Sequence, residues 1–497
     1  MQFIGRKNQL AQLMSLWRKS ASSLVTCQGR RRIGKSRLIE EFAERSDCWY
    51  LKISGLAPRR NMTNADQIRN FCEKLSAKCA IDVPVAKNWS AAFEYLNSEL
   101  VKRSGRRKLV LLDEISWMGG EDPDFAGHLK DAWDDLFKKN DDLVMVLCGS
   151  VSSWIQKNIL DSTGFVGRVS LELLVQELPV AECRPFWGSA ADGVSSREIL
   201  DMLSVTGGVP MYLEEIDPLL TTDENLRRQA FTRGGTLFKD FNRIFNDVFG
   251  AKSKSKQLIL RTLTNASKTL SEISDSLGKE RNGHLGEALE ELELAGFISR
   301  DSFINPATGK SAKLDRYRIC DNYTRFFLRF IEPYSMMIKR NAFAFGGLAS
   351  LPGWDTILGL QFENLVLNNV QSLIEYLGLD HTLVLSAAPY RKSGTLTVDG
   401  AGDVDVERGC QIDLLLQLKE AMYVVEIKRR KHIDMSIVEE VKRKIARLPN
   451  PGGVSIRQVL FYDGELSPSV VESGYFAATI DAAEFFGLKN NARKVKS

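Results

Sequence analysis

The sequence predicts a multidomain α/β protein, with a parallel sheet first, a small helical unit closed by a hairpin next and an α+β unit last. Three observations carry that expectation. Short apolar runs (Ser23–Cys27, Lys108–Leu112, Leu143–Cys148) alternate with longer amphipathic stretches up to about Leu213, as in a parallel sheet covered on both faces. The strand signal then stops, and helical periodicity alone runs over about 215–250. The last part mixes two strands close enough for a hairpin with a basic helix and a further strand. A chain of 497 residues exceeds one hydrophobic core and sets a prior of about three domains.

Composition narrows the class. Hydrophobic residues make up 44% and charged residues 26%, ordinary values for a globular protein. The net charge of +4 is too small to argue nucleic-acid binding from bulk charge, so any basic surface must be local. The eight cysteines form no C-x-x-C pair, and with four histidines a zinc site is not expected. The first residues enter a helical pattern directly, without a signal-peptide pattern, and no run of 18 apolar residues exists. A reduced, cytoplasmic setting without a membrane partner is the expectation.

The first strand leads into Gly29-Arg30-Arg31-Arg32-Ile33-Gly34-Lys35-Ser36, which satisfies the phosphate-loop pattern G-x-x-x-x-G-K-S/T and runs on through Arg37 into a helix. Glycines let backbone N–H groups turn toward phosphate oxygens, and the helix adds its positive end. Lys35 is expected on the β and γ phosphates and Ser36 on Mg2+. The run Leu109–Leu112 ends in Asp113 and Glu114: Asp113 for the Mg2+ shell, Glu114 to orient and deprotonate the attacking water. Leu143–Cys148 ends in Gly149 and Ser150, and Ser150 is a candidate polar neighbour of the γ phosphate; a plain strand-end turn is the alternative. ATP and Mg2+ are therefore the expected cofactors.

On these pieces, with Phe3-Ile4-Gly5-Arg6, Gly167-Arg168 and Thr206-Gly207-Gly208-Val209-Pro210, the first ~215 residues resemble the archaeal-type ATPases of the AAA+/STAND class. The resemblance implies that Phe3, Ile4 and Arg6 lie near the adenine and that Gly208 to Pro210 pack near the nucleotide. Arg168 is either a γ-phosphate sensor or half of a structural ion pair. Arg30, Arg31 and Arg32 fill the variable loop positions, where a solvated basic turn is the default and a contact to a partner or DNA the alternative.

The expected fold class is thus a P-loop parallel-sheet ATPase (1–215) with a helical lid (216–250). A winged helix-turn-helix (251–335), a linker (336–353) and an α+β restriction-endonuclease-like domain (354–490) follow. The middle unit is expected as three helices and a hairpin around the turn at Asn305–Gly309. Its would-be recognition helix carries Glu287, Glu290, Glu291 and Glu293, and such carboxylates would repel a groove of phosphates; Arg281 and His284 do not offset them. A structural or regulatory role is favoured, with Arg300, Lys310, Lys313 and Arg316 of the wing left as candidate phosphate contacts.

In the last unit, Gln411-Ile412-Asp413 and Val424-Val425-Glu426-Ile427-Lys428 read as two strands. Glu426 and Lys428 share a face. With Lys419-Glu420 as a two-residue turn, Asp413 falls opposite Glu426, their Cβ atoms about 5 Å apart, and Ile412, Leu414 and Leu416 form one apolar face. Paired carboxylates want a cation, and a hard-oxygen site suits Mg2+. These residues resemble the PD-(D/E)xK nuclease superfamily, with Glu363 matching its first-helix acid and no Pro before Asp413. The resemblance implies Asp413 and Glu426 as metal ligands, Lys428 as a water-positioning or charge-stabilising group, and Glu363 as an accessory metal or base residue. Lys428–Arg447 gives a local basic surface for DNA or RNA. Two readings stand: an ATP-switched nuclease, and an ATP-driven signalling switch whose last domain binds nucleic acid or protein without cutting. A trans-acting arginine would imply an oligomer.

Overall fold

The computed structural model describes residues 3–489 apart from 20, 60, 104, 121, 151, 279–282, 303, 305–314, 345, 393–394, 399–403, 408 and 451–452. Five parallel strands open the fold: β1 (Ser23–Gln28), β2 (Trp49–Ser54), β3 (Lys108–Asp113), β4 (Leu143–Gly149) and β5 (Val169–Leu174). Their spatial order is β2-β3-β4-β1-β5, so β1 is flanked by strands of later sequence and the loop after it opens at the carboxyl edge of the sheet. Strict alternation divides these strands between two cores. Leu109, Leu111, Val144 and Val146 join one face, and Val110, Leu112, Met145 and Leu147 the other.

Two helices, Thr222–Ala230 and Thr236–Phe249, follow, in the segment expected as a lid. The first has a capping box of Thr221 and Glu224. Helices Ser253–Leu263, Leu270–Leu277 and Gly283–Leu294 then surround a small antiparallel sheet ordered β6-β8-β7: β6 (Lys268–Thr269), β7 (Ile298–Asp301) and β8 (Arg316–Ile319). The expected turn at Asn305–Gly309, with Arg281, Lys310 and Lys313, lies outside the described residues. Only two of the four helix carboxylates face solvent. Glu287 and Glu290 are exposed, whereas Glu291 meets Lys256 Nζ at 2.6 Å and Glu293 is half-buried, because its positions turn toward the packed side of the helix. Arg300 and Arg316 are likewise taken by Asp315 and Glu272.

Residues 336–353 are not a free linker. Phe343 stacks on Phe231, Leu348 and Leu351 are buried, and Leu348 N–H donates to Asp223 Oδ1 at 2.6 Å. The apolar residues among the alanines and glycines of this segment find a groove that composition does not reveal.

The last sheet comprises β9 (Val384–Lys392), β12 (Cys410–Leu418), β13 (Ala421–Ile433), β14 (Ser455–Leu466) and β15 (Ala478–Asp481), in the order β15-β14-β13-β12-β9; a separate pair, β10 (Thr395–Val398) and β11 (Val404–Glu407), stands beside it. β12 and β13 form the expected hairpin, while β14 runs parallel to β13. Helix Trp354–Asn368 covers one face and helix Ser436–Ile445 the other. One continuous apolar core runs from the first sheet through the lid and middle unit to helix Trp354–Asn368 and the last sheet. All eight cysteines are free. Among the described residues, no helix is long and apolar enough to cross a membrane.

Candidate active sites

The first site is built where β1 ends. Gly29 has φ +148, and a Cβ there would lie 2.1 Å from Val175 O, so only glycine lets the loop pass this backbone. Gly34, at φ +86, sets the left-handed entry to helix Lys35–Ser46, whose N-terminus no side chain caps. Its open N–H groups are what a phosphate requires. Lys35 Nζ donates to Gly29 O at 2.9 Å, Arg30 O at 3.0 Å and Ser150 Oγ at 3.1 Å. Ser36 Oγ donates to both oxygens of Asp113 at 3.0 Å. The glycine cradle, uncapped helix and hydroxyl–carboxylate pair fit a nucleotide triphosphate with Mg2+; Lys35 and the loop N–H groups would hold the phosphates, Ser36 and Asp113 the ion, which when bound neutralises phosphate charge.

Glu114 follows Asp113 in a left-handed conformation, φ +52, which swings its carboxylate to the tip of β4. There Ser150 donates to it twice, from N–H at 3.2 Å and from Oγ at 2.8 Å. Arg6 is buried, donates to Ile33 O at 3.0 Å and receives a backbone restraint from Glu182; burial lowers its pKa to about 10, partly offset by Glu182. Phe3 lies under the Arg37 guanidinium, and Pro210 stands beside Gly34. Lys52 completes the edge with an ion pair to Asp113 at 3.1 Å. Sequence reasoning missed Lys52, although a Lys on the neighbouring strand tip is a readable signal.

One expectation changes, and one choice between alternatives narrows. The three loop arginines are not a solvated turn: Arg30 pairs with Asp321, Arg31 with Asp247 and Arg32 with Asp240, all supplied by later segments. Nor does the structure bring Arg168 to the loop. It precedes β5, whose Val169 aligns with Leu24 at the far end of β1, and its Nε and Nη2 donate to Asp134 at 2.8 Å. This half-buried pair fits the ion-pair reading within this chain.

Residues 3–216 match the family described as an ATPase domain predominantly from Archaea. This part of the chain is an archaeal-type ATPase domain. An uncharacterised protein of Methanocaldococcus jannaschii is 23% identical over 363 residues, 73% of this chain and 75% of that protein. The Walker-type ATPase of Pyrococcus abyssi is similar in structure, with 19% identity, a TM-score of 0.48, and coverage of 66% of this chain and 96% of that one. The ORC2 protein of Aeropyrum pernix aligns at 13% identity and a TM-score of 0.44, over 68% and 94%.

The second cluster lies in the last sheet, away from the ATPase loop. The β12–β13 ladder runs to Leu414↔Val425, in the register the turn requires, and ends one step short of Asp413 and Glu426. A bulge interrupts β12 between Ile412 and Leu415. It moves Ile412 to the opposite core from Leu414 and Leu416, so the expected single apolar face is broken there. Asp413 Oδ2 then accepts Ile427 N–H at 2.9 Å. Glu426 is fully buried, with Lys428 Nζ at 2.5 Å and Lys444 Nζ at 2.6 and 2.7 Å from its two oxygens. Lys428 also meets Glu440 at 2.9 Å. Burial, reinforced by Asp413, raises the Glu426 pKa and lifts that of Glu363 to about 8. Glu426 raises the Lys428 pKa against the opposing effect of burial. Lys444 and Glu440 were missed as individuals; they sit one turn apart on the basic helix, and only packing reveals which face meets Glu426. Among the described residues, no group of three His, Cys, Asp or Glu side chains is placed to hold a metal.

Proposed function

We propose that this ATPase is a switch coupled to a Mg2+-dependent phosphodiesterase acting on DNA or RNA, a pairing suited to genome defence or mobile-element control. The observation that supports it is the bond from Ile427 N–H to Asp413, which holds that carboxylate near Glu426, with Lys428 against Glu426. The donor set is all carboxylate oxygen, which fits a hard cation, and Asp413 and Glu426 would hold it once Lys444 withdraws. Such an ion would supply Lewis-acid stabilisation of phosphate charge. In this reading the middle unit is a winged helix that serves assembly more than groove reading, since Arg300 and Arg316 are engaged by acids. A cleavage assay over single- and double-stranded DNA and RNA, with Mg2+ or Mn2+ and with or without ATP, tests it. Cutting by the wild type that Glu426→Ala abolishes is expected; identical products from both, or none from either, rejects it.

A second reading is favoured by one observation: both Glu426 oxygens are bound by Lys444. The last domain would then bind nucleic acid without cutting it. That version predicts salt-sensitive binding that survives Asp413→Ala.

A further inference from the structure

We infer that Asp321, outside the ATPase domain, is a positioning residue for the nucleotide loop and links it to the helix that carries Glu363. Arg30 enters the core from the loop at 7% exposure, pairs with Asp321 and lies 5.9 Å from the centre of the Phe297 ring. Its Nε and Nη2 have no hydrogen-bond partner in the described structure, so Asp321 alone satisfies a buried cation.

Asp321 is also the N-cap of helix Asn322–Phe326, taking Thr324 N–H at 3.1 Å. That short helix is bonded to helix Trp354–Asn368. Asn322 and Gln361 exchange bonds at 3.1 and 2.7 Å, Arg325 donates to Gln361 Oε1 at 3.1 Å, and Asn364 donates to Asn322 Oδ1 at 3.0 Å. Gln361 and Asn364 flank Glu363 in sequence. A second thread ends at the same place. Arg32 pairs with Asp240, which accepts the Tyr212 hydroxyl at 3.0 Å, and the Tyr212 ring packs on Tyr323 at 4.8 Å.

The coupling begins at Lys35, whose amine holds the carbonyls of Gly29 and Arg30. A phosphate that claims Lys35 frees the Arg30 carbonyl, so the loop backbone resets while its side chain stays tied to Asp321. Displacement of Arg30 then acts on the cap of helix Asn322–Phe326 and, through its bonds, on helix Trp354–Asn368. The thread does not depend on whether the last domain cuts.

Hydrogen exchange followed by mass spectrometry tests the link, in full-length protein with a non-hydrolysable ATP analogue and Mg2+ at concentrations shown by titration to saturate each variant. In the wild type, the analogue is expected to change exchange in 322–331 and 354–368 by about fivefold or more. Absence of that change overturns the inference. Asp321→Asn keeps a capping side chain but removes the charge, and Arg30→Met with Asp321→Asn removes both buried charges together. In either variant that keeps a cooperative unfolding transition, the nucleotide-induced change is expected to fall by about half or more in 354–368, the Arg32–Asp240 thread carrying the rest, and to persist around the phosphate loop, while Asp321→Glu keeps the wild-type response. A wild-type response in both neutral variants also overturns the inference. Failure of the nuclease reading leaves these outcomes unaltered.

Discussion

Ser150 stands between Lys35 and Glu114. Its Oγ accepts a hydrogen bond from the Lys35 amine at 3.1 Å and donates its own to the Glu114 carboxylate at 2.8 Å. Lys35 and Glu114 are thus held together through one small side chain at the tip of β4.

Glu114→Gln is expected to retain ATP binding and lose hydrolysis by about a hundredfold or more, the range for removal of a general base. Equilibrium binding of a fluorescent nucleotide and phosphate release measure the two separately.

Ser150→Ala removes one of two bonds to Glu114 and leaves the backbone N–H in place. Hydrolysis is expected to fall by about tenfold, the kinetic equivalent of one hydrogen bond. A fall as deep as that of Glu114→Gln would instead make Ser150 a direct participant.

Arg168 and Asp134 form a half-buried pair away from the loop. Arg168→Ala should leave turnover at low protein concentration within about twofold, as for a surface substitution. A loss that grows with protein concentration, read from specific activity against concentration, would place Arg168 in a neighbouring subunit's site.

Lys444→Met frees Glu426 Oε2 and leaves Oε1 to Lys428 alone. Mn2+ binding by calorimetry is expected to tighten by about tenfold, the worth of one charge-assisted hydrogen bond, and Asp413→Ala should abolish it.

Burial and Asp413 lift the Glu363 pKa from 4.5 to about 8. Between those values the unfolded chain releases a proton that the folded chain keeps. The stability of metal-free protein should therefore decline as pH rises from about 4.5 to about 8, through this group. Urea unfolding of wild type and Glu363→Gln across that range measures it, the variant giving the flatter profile.

Much of the chain was legible without coordinates, because its signals are local. Strand tips, the spacing from Gly29 to Ser36 and the acids after Leu112 follow from backbone geometry that a few neighbouring residues dictate. The β12–β13 register followed from the two-residue turn at Lys419-Glu420. What failed depends on what lies far away in sequence. The bulge that displaces Ile412 answers to β9, and the packing of 336–353 answers to Phe231 and Asp223.

Sequence alone therefore determined the phosphate loop, its acidic strand and the register of the β12–β13 hairpin. Each is a short-range pattern with one physical solution. Only the tertiary structure decided where the long cations go: Arg30 to Asp321, Arg32 to Asp240, Lys444 to Glu426. A flexible charged side chain has no preferred partner until burial makes an unpaired charge too costly, and which acid lies within reach is settled by the packing of the whole chain.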